Sequence, residues 1–116
     1  MEIDAINKEY IDVDDALRRV GGNMGLYKRL LGRFLEGRNI EALEDALTKD
    51  DMEEAAHHAH TLKGVAANLS LTGVRSISVD LEQAIKNGSD YSGYLTELKQ
   101  VYSTTAEIIT EMMKTD

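Results

Sequence analysis

An all-α fold is predicted, and three observations carry the prediction. The 116 residues contain no proline, and Leu, Ala and Glu, all good helix formers, are the commonest residue types. Apolar residues recur at alternating steps of three and four in each long segment, the spacing of a helix that buries one face. Clusters of Gly, Asn and Asp punctuate those segments. The economical architecture is an antiparallel up-down four-helix bundle with a short extra N-terminal helix, forming a single domain over residues 1–116.

Each element can be justified in turn. Ile11 to Val20 reads as a short helix with Asp12 as its N-cap, and Gly21-Gly22-Asn23 breaks it. Asn23 caps a second helix carrying Leu26, Tyr27, Leu30, Leu31, Phe34 and Leu35, which resumes through Ile40, Leu43 and Leu47. Gly32 and Gly37 lie inside it, each costing ~1 kcal/mol against alanine, so a bend or close packing is expected there. Lys49-Asp50-Asp51 forms a turn, with Asp50 or Asp51 capping a helix over about residues 51–69. Its apolar stripe is Met52, Ala55, Ala59, Leu62, Ala66 and Leu69. Ser70 to Gly73 reads as a short connection. Val74, Ile77, Leu81, Ala84 and Ile85 form the face of the next helix, which Asn87-Gly88 ends. Asp90 or Ser92 caps the last helix, whose stripe is Tyr91, Tyr94, Leu95, Leu98, Val101, Tyr102, Ile108, Ile109 and Met112.

Composition excludes several functions. No cysteine is present, so disulfides and thiolate metal sites are absent, as suits a cytoplasmic protein. No apolar run approaches the ~20 residues that span a bilayer, so no membrane association is expected. Met1-Glu2-Ile3-Asp4 lacks the basic and apolar regions of a signal peptide. Met1 and the short tail favour a free-standing protein over a domain excised from a larger one. The net charge of −8 argues against nucleic acid as a partner. Residues 1–40 balance seven basic against seven acidic side chains, whereas residues 41–116 hold six basic and fourteen acidic ones and so carry all of the excess. The basic residues between Arg18 and Arg38 read as a solvated helix face, with a docking surface for an acidic partner as the sharper alternative.

Three histidines, His57, His58 and His60, share one helical turn. His60 stands apart. It follows Ala59 and so lies on the flank of the buried stripe. Its neighbours at four-residue spacing are Ala56 and Gly64, both small, and Lys63 places a cation on the same face. His57 and His58 have Glu53 and Glu54 one turn before them. Glu53, Glu54, His57 and His60 contain the Glu-x-x-His spacing of di-iron bundles, but no second such pair occurs, and Lys63 would oppose a bound cation. Neither a metal nor a cofactor is therefore expected. A nucleophilic cysteine, a Gly-x-Ser-x-Gly elbow and a glycine-rich phosphate loop are all lacking, so the chain does not read as an enzyme with its own turnover.

The run Ala59-His60-Thr61-Leu62-Lys63-Gly64, continuing Val65-Ala66-Ala67-Asn68-Leu69-Ser70-Leu71, closely resembles the signature of histidine-containing phosphotransfer (HPt) domains. Upstream, Leu17-Arg18-Arg19-Val20-Gly21-Gly22-Asn23, Leu26 to Leu31 and Phe34-Leu35-Glu36 look like that family's approach to its second helix. Downstream, Asp80-Leu81-Glu82 matches its usual polar position on the helix facing the histidine. The resemblance runs from about residue 10 to residue 112. The family usually has glycine where this chain has Ser70, a departure that alters the local cap. Val65-Ala66-Ala67, in place of the glycine-rich run of the chemotaxis-kinase branch, favours the phosphorelay branch.

The resemblance implies that His60 accepts a phosphoryl group from a receiver-domain aspartyl phosphate, or from a kinase, and passes it to another receiver. An imidazole with the ordinary pKa of ~6.5 is largely neutral and nucleophilic at cytosolic pH. Attack through Nε2 requires the proton to sit on Nδ1, held by an acceptor, for which Glu82, a backbone carbonyl or water are the choices. Lys63 would stabilise charge on the phosphoryl oxygens, and Gly64 would leave room for the partner's loops. The implied partners are response-regulator receiver domains and a hybrid sensor histidine kinase. Such a partner supplies Mg²⁺ from its own acidic pocket. The chain is expected to act as a monomer, with an apolar docking rim drawn from the second helix, the histidine helix and the N-terminal helix. The alternative function is a docking module for a receiver or kinase that is not itself phosphorylated.

Overall fold

Helical spacing resolves into six helices among the described residues, 6–114, of the computed structural model. They are α1 (Val13–Arg19), α2 (Met24–Glu36), α3 (Asn39–Thr48), α4 (Met52–Asn68), α5 (Thr72–Lys86) and α6 (Ser92–Met113). No strand occurs among these residues. The reading of Met1 to Asp4 lies outside them. The most extensive packing is α4 on α5. Next, α3 covers α4 and α6 covers α5, while α2 lies on α6 and α1 on α2. No helix is long and apolar enough to cross a membrane among the described residues.

Side-chain caps open three of the helices, α1, α2 and α4. Asp12, Asn23 and Asp51 each accept the backbone N–H three residues on, from Asp15, Leu26 and Glu54. Of the two aspartates that could open α4, Asp51 does so, because Asp50 sits in the left-handed region at φ 58° and ends α3 instead. At the start of α6, Asp90 accepts both the N–H and the hydroxyl of Ser92, at 3.0 and 2.7 Å. Ser92 is thus a donor there rather than the cap.

Three expectations need correction. The second helix is not continuous through Leu47. Gly37 turns to extended backbone (φ −69°, ψ 151°), its N–H closing on the Arg33 and Phe34 carbonyls, and the chain restarts as α3 at Asn39. Glycine's weak helix propensity makes this the natural breaking point. The first helix begins at Val13, with Ile11 outside it and fully buried. The segment Ser70–Gly73 is only half connection, since Thr72 and Gly73 already belong to α5. Gly73 is helical for a packing reason. A Cβ there would come within 2.9 Å of the Glu9 carbonyl oxygen, so the N-terminal segment lies directly on the backbone of α5. The Thr72 hydroxyl secures the same contact by donating to the Lys8 carbonyl.

The core is aliphatic. Leu31, Leu43, Leu62, Leu71, Val74, Leu81, Leu98 and Ile109 have no exposed surface. On α6 the buried line is Leu98, Thr105, Ile109 and Met112, so Thr105 enters a stripe the apolar pattern had skipped, while Tyr94 lies 40% exposed at its end. The hydroxyls of Thr105 and Ser78 are buried and find no hydrogen-bond partner among the described residues. Tyr27 fastens α2 to the end of α4, donating its hydroxyl to the Leu69 carbonyl at 2.7 Å across 42 residues of sequence.

That end of α4 depends on one uncommon residue. After Leu69 the chain turns through Ser70 at φ 56°, letting the N–H groups of Ser70 and Leu71 close on the Ala67 and Ala66 carbonyls at 3.2 and 2.8 Å. Glycine meets this geometry without steric cost, whereas an L side chain pays ~1–2 kcal/mol. Ser70 offsets the cost by the bond its side chain makes to the N-terminal region. Its hydroxyl donates to Asp15 Oδ2 at 2.7 Å, and its carbonyl accepts the Asp12 N–H at 3.0 Å. Ser70→Ala keeps the strain and loses the hydroxyl bond, whereas Ser70→Gly loses the bond but relieves the strain. Urea denaturation should therefore find the alanine variant less stable than the glycine variant by ~1 kcal/mol; equal stabilities would show that Ser70 is unstrained.

Candidate functional site

Three of the four fully buried residues on α4 are alanines, Ala55, Ala59 and Ala66, with Leu62 the fourth. Their small side chains let α5 approach closely. A residue one step off this stripe emerges at the seam between the two helices. His60 is that residue, with its side chain 62% exposed. Gly64, one turn further on, leaves the surface beside it open, and a Cβ there would meet nothing within 4 Å.

Across the seam, α5 supplies Glu82. It follows Leu81 and precedes Ile85, so it sits at the edge of the α5 stripe and its side chain is only 6% exposed. A buried carboxylate must be neutralised or hydrogen-bonded. Glu82 has three partners. Its Oε2 lies 3.1 Å from His60 Nδ1 and 2.8 Å from Lys86 Nζ, and its Oε1 lies 3.1 Å from Lys63 Nζ. Burial pushes the carboxyl up, but the hydrogen bonds from Lys86, Lys63 and His60 outweigh it and hold the carboxyl down to about 2. Glu82 is therefore ionised and purely an acceptor at neutral pH. The His60 nitrogen facing it must be the donor, so the ring carries its proton on Nδ1. Nε2 is the remaining nitrogen, and no hydrogen bond among the described residues engages it.

The structure thus brings together His60, Lys63 and Glu82, with Gly64 alongside. Lys63 is not a free cation on an open flank. Its side chain is 30% exposed and engaged by Glu82. The other two histidines have different surroundings. His58 Nε2 lies 3.2 Å from Glu54 Oε1 on its own helix, and the His57 ring lies against that of His58 with centroids 5.9 Å apart. Sequence reasoning missed Lys86. The signal was present as Glu82-x-x-x-Lys86, the four-residue spacing and order that favours ion pairing on a helix.

An open groove of about 600 Å³ adjoins His60 on the side of the α4 N-terminus. Its lining is mixed, with Met52, Ala56 and Ile85 apolar and Glu53, His57, His60, Glu82 and Lys86 polar. The docking rim was expected from the second helix, the histidine helix and the N-terminal helix; the groove next to His60 is walled by α4 and α5. No group of three or more His, Asp or Glu side chains that could hold a metal ion occurs among the described residues.

The site is thus an exposed imidazole on an all-helical bundle, its Nδ1 against a buried, ionised carboxylate that two ammonium groups also hold. The family model described as Hpt domain matches residues 30–108, more than half of the chain, and the chain belongs to that family. Hpt domains are helical phosphotransfer modules of phosphorelay signalling, which carry a phosphoryl group rather than catalyse turnover. No curated protein and no solved structure matches the chain.

The low pKa of Glu82 has a stability consequence whose sign is fixed. Its carboxyl titrates at about 2 in the folded chain against 4.5 for the unperturbed group. The stabilisation is therefore complete above pH 4.5 and is lost as the pH falls through 2. Glu82→Gln removes the charge, so wild type should be the more stable at pH 7, and the difference should close between pH 4.5 and 2 in urea titrations. A gap that stays constant across that window would mean that the charge on Glu82 does not stabilise the fold.

Proposed function

We propose that the chain is a phosphorelay intermediate in which His60 takes a phosphoryl group from a receiver-domain aspartyl phosphate, or from a hybrid sensor histidine kinase, and passes it to a second receiver. The observation that carries this reading is the contact of His60 Nδ1 with the buried, ionised Glu82 at 3.1 Å. It leaves the exposed ring with its proton on the inner nitrogen and a lone pair on Nε2.

The transfer follows from those atoms. The Nε2 lone pair attacks phosphorus, forming the N–P bond. The P–O bond to the aspartyl carboxyl breaks, and its electron pair returns to the receiver's carboxylate. The proton stays on Nδ1, so positive charge develops on the ring as the bond forms, and Glu82 lies against the nitrogen that shares that charge. Lys63 is the group suited to the phosphoryl oxygens, and the missing side chain at Gly64 gives the receiver's loops room. Return of the group to a second receiver reverses the same steps. We place the protein in the cytoplasm, as a monomeric single domain over residues 1–116. The up-and-down course of its long helices follows from their short connections.

Incubation with a receiver domain charged with acetyl phosphate tests the reading. Wild type should acquire an acid-labile phosphoryl group. His60→Gln should abolish it, while His57→Gln and His58→Gln retain it. Label persisting on a folded His60→Gln chain would overturn the assignment.

Gly64→Leu separates folding from docking. Leucine favours a helix over glycine by nearly ~1 kcal/mol, so stability should hold or rise. The added side chain, one turn from His60 in space that is now open, should block transfer. An unchanged transfer rate in this variant would show that the receiver does not pass over Gly64.

A further inference from the structure

At rest the Lys63 ammonium lies on Glu82 Oε1 at 3.1 Å. Turning toward phosphoryl oxygens on Nε2 would draw it away from that contact. Leaving it is costly if Glu82 then stands alone, since the Glu82 side chain is only 6% exposed and a buried carboxylate stripped of its partner is strongly disfavoured. The bare carboxylate would also repel the incoming dianion at close range.

Lys86 removes this difficulty. It binds the other carboxylate oxygen, at 2.8 Å, the shortest contact Glu82 makes. It comes from α5 itself, four residues after Glu82, so it moves with the carboxylate rather than with α4 and His60. It shares Oε2 with the His60 Nδ1 proton, so it meets the carboxylate at the oxygen that Lys63 does not use. One carboxylate against two ammoniums leaves the site with one positive charge in excess, so one lysine can turn to an anion while the other keeps Glu82 paired.

We propose that Lys86 is a positioning residue that holds the Glu82 carboxylate while Lys63 turns from it to the phosphoryl group on His60. The proposal rests on the phosphotransfer reading above. It assigns the two lysines different tasks. Lys63 meets the phosphoryl group, and Lys86 acts only through Glu82. The bonds made and broken in the transfer are unchanged by it, and Lys86 exchanges no proton.

A double-mutant cycle tests this, using the receiver domain that labels wild type most rapidly, charged with acetyl phosphate. The rate is read as a single turnover at saturating receiver, so that weaker docking does not enter it. Lys86 is 60% exposed, so its variants should fold, and a urea midpoint for each confirms this. Lys86→Met should slow transfer roughly five- to tenfold, and Lys86→Arg should restore it, because a guanidinium also pairs with the carboxylate. In a Glu82→Gln chain the amide oxygen still accepts the Nδ1 proton but has no charge to hold, so Lys86→Met should have no further effect. A slowing that persists in the Glu82→Gln chain would overturn the proposal and make Lys86 a direct phosphate contact. An unaffected Lys86→Met chain would overturn it as well, as would undetectable transfer in Glu82→Gln. If wild-type His60 takes no label from any receiver, the function itself fails, an outcome distinct from all of these.

Discussion

Everything at the surface of this bundle that bears on histidine chemistry depends on one buried carboxylate. Glu82 is held in its ionised form by three donors from two helices, His60 and Lys63 on α4 and Lys86 on its own α5. Had burial prevailed over these bonds, the carboxyl would have been protonated and able to donate. The adjoining imidazole nitrogen could then have been an acceptor, and the proton would have moved to Nε2. The charge state of one residue thus decides which nitrogen of another carries the proton.

The scaffold makes that arrangement possible through small residues rather than large ones. Ala55, Ala59 and Ala66 bring α5 close enough for a glutamate to reach across the seam, and Gly64 leaves the outer surface bare. Rigidity comes from elsewhere. Tyr27 and Ser70 tie the C-terminal end of α4 to α2 and to the N-terminal region, so the helix that carries His60 is anchored beyond the site instead of beside it. The surface around the imidazole is therefore free for a partner while its helix stays fixed.

Ser70 shows how a local departure is absorbed. In a left-handed position that suits glycine, it adds a bond to Asp15 and joins α1 to the end of α4. The α4 C-terminus keeps its two closing hydrogen bonds, at Ala66 and Ala67. The departure affects the anchor of the helix and not the seam at His60, which lies ten residues earlier.

The sequence by itself determined the helical class, most of the caps and the singular position of His60, because these are local properties. The steps of three and four mark the buried face of α4, and the residue next to Ala59 must emerge at its edge. Asp12 and Asn23 cap through bonds three residues long. Membership of the Hpt family was legible in the same stretch, from Ala59 to Leu71. The break at Gly37 was half visible, since glycine there marked a bend or close packing, whereas the chain leaves the helix altogether and restarts at Asn39. Thr105 was passed over because its hydroxyl hides its place in a buried line set by helix geometry. The contacts that Glu82 makes across the seam, with His60 and Lys63, came from the tertiary structure, whereas its spacing to Lys86 lies within one helix. Helix periodicity places a side chain on a face of its own helix but not against a given atom of another. A sequence separation of 22 between His60 and Glu82 becomes a 3.1 Å contact through the turn at Ser70 and the close approach of α5, which no local pattern encodes.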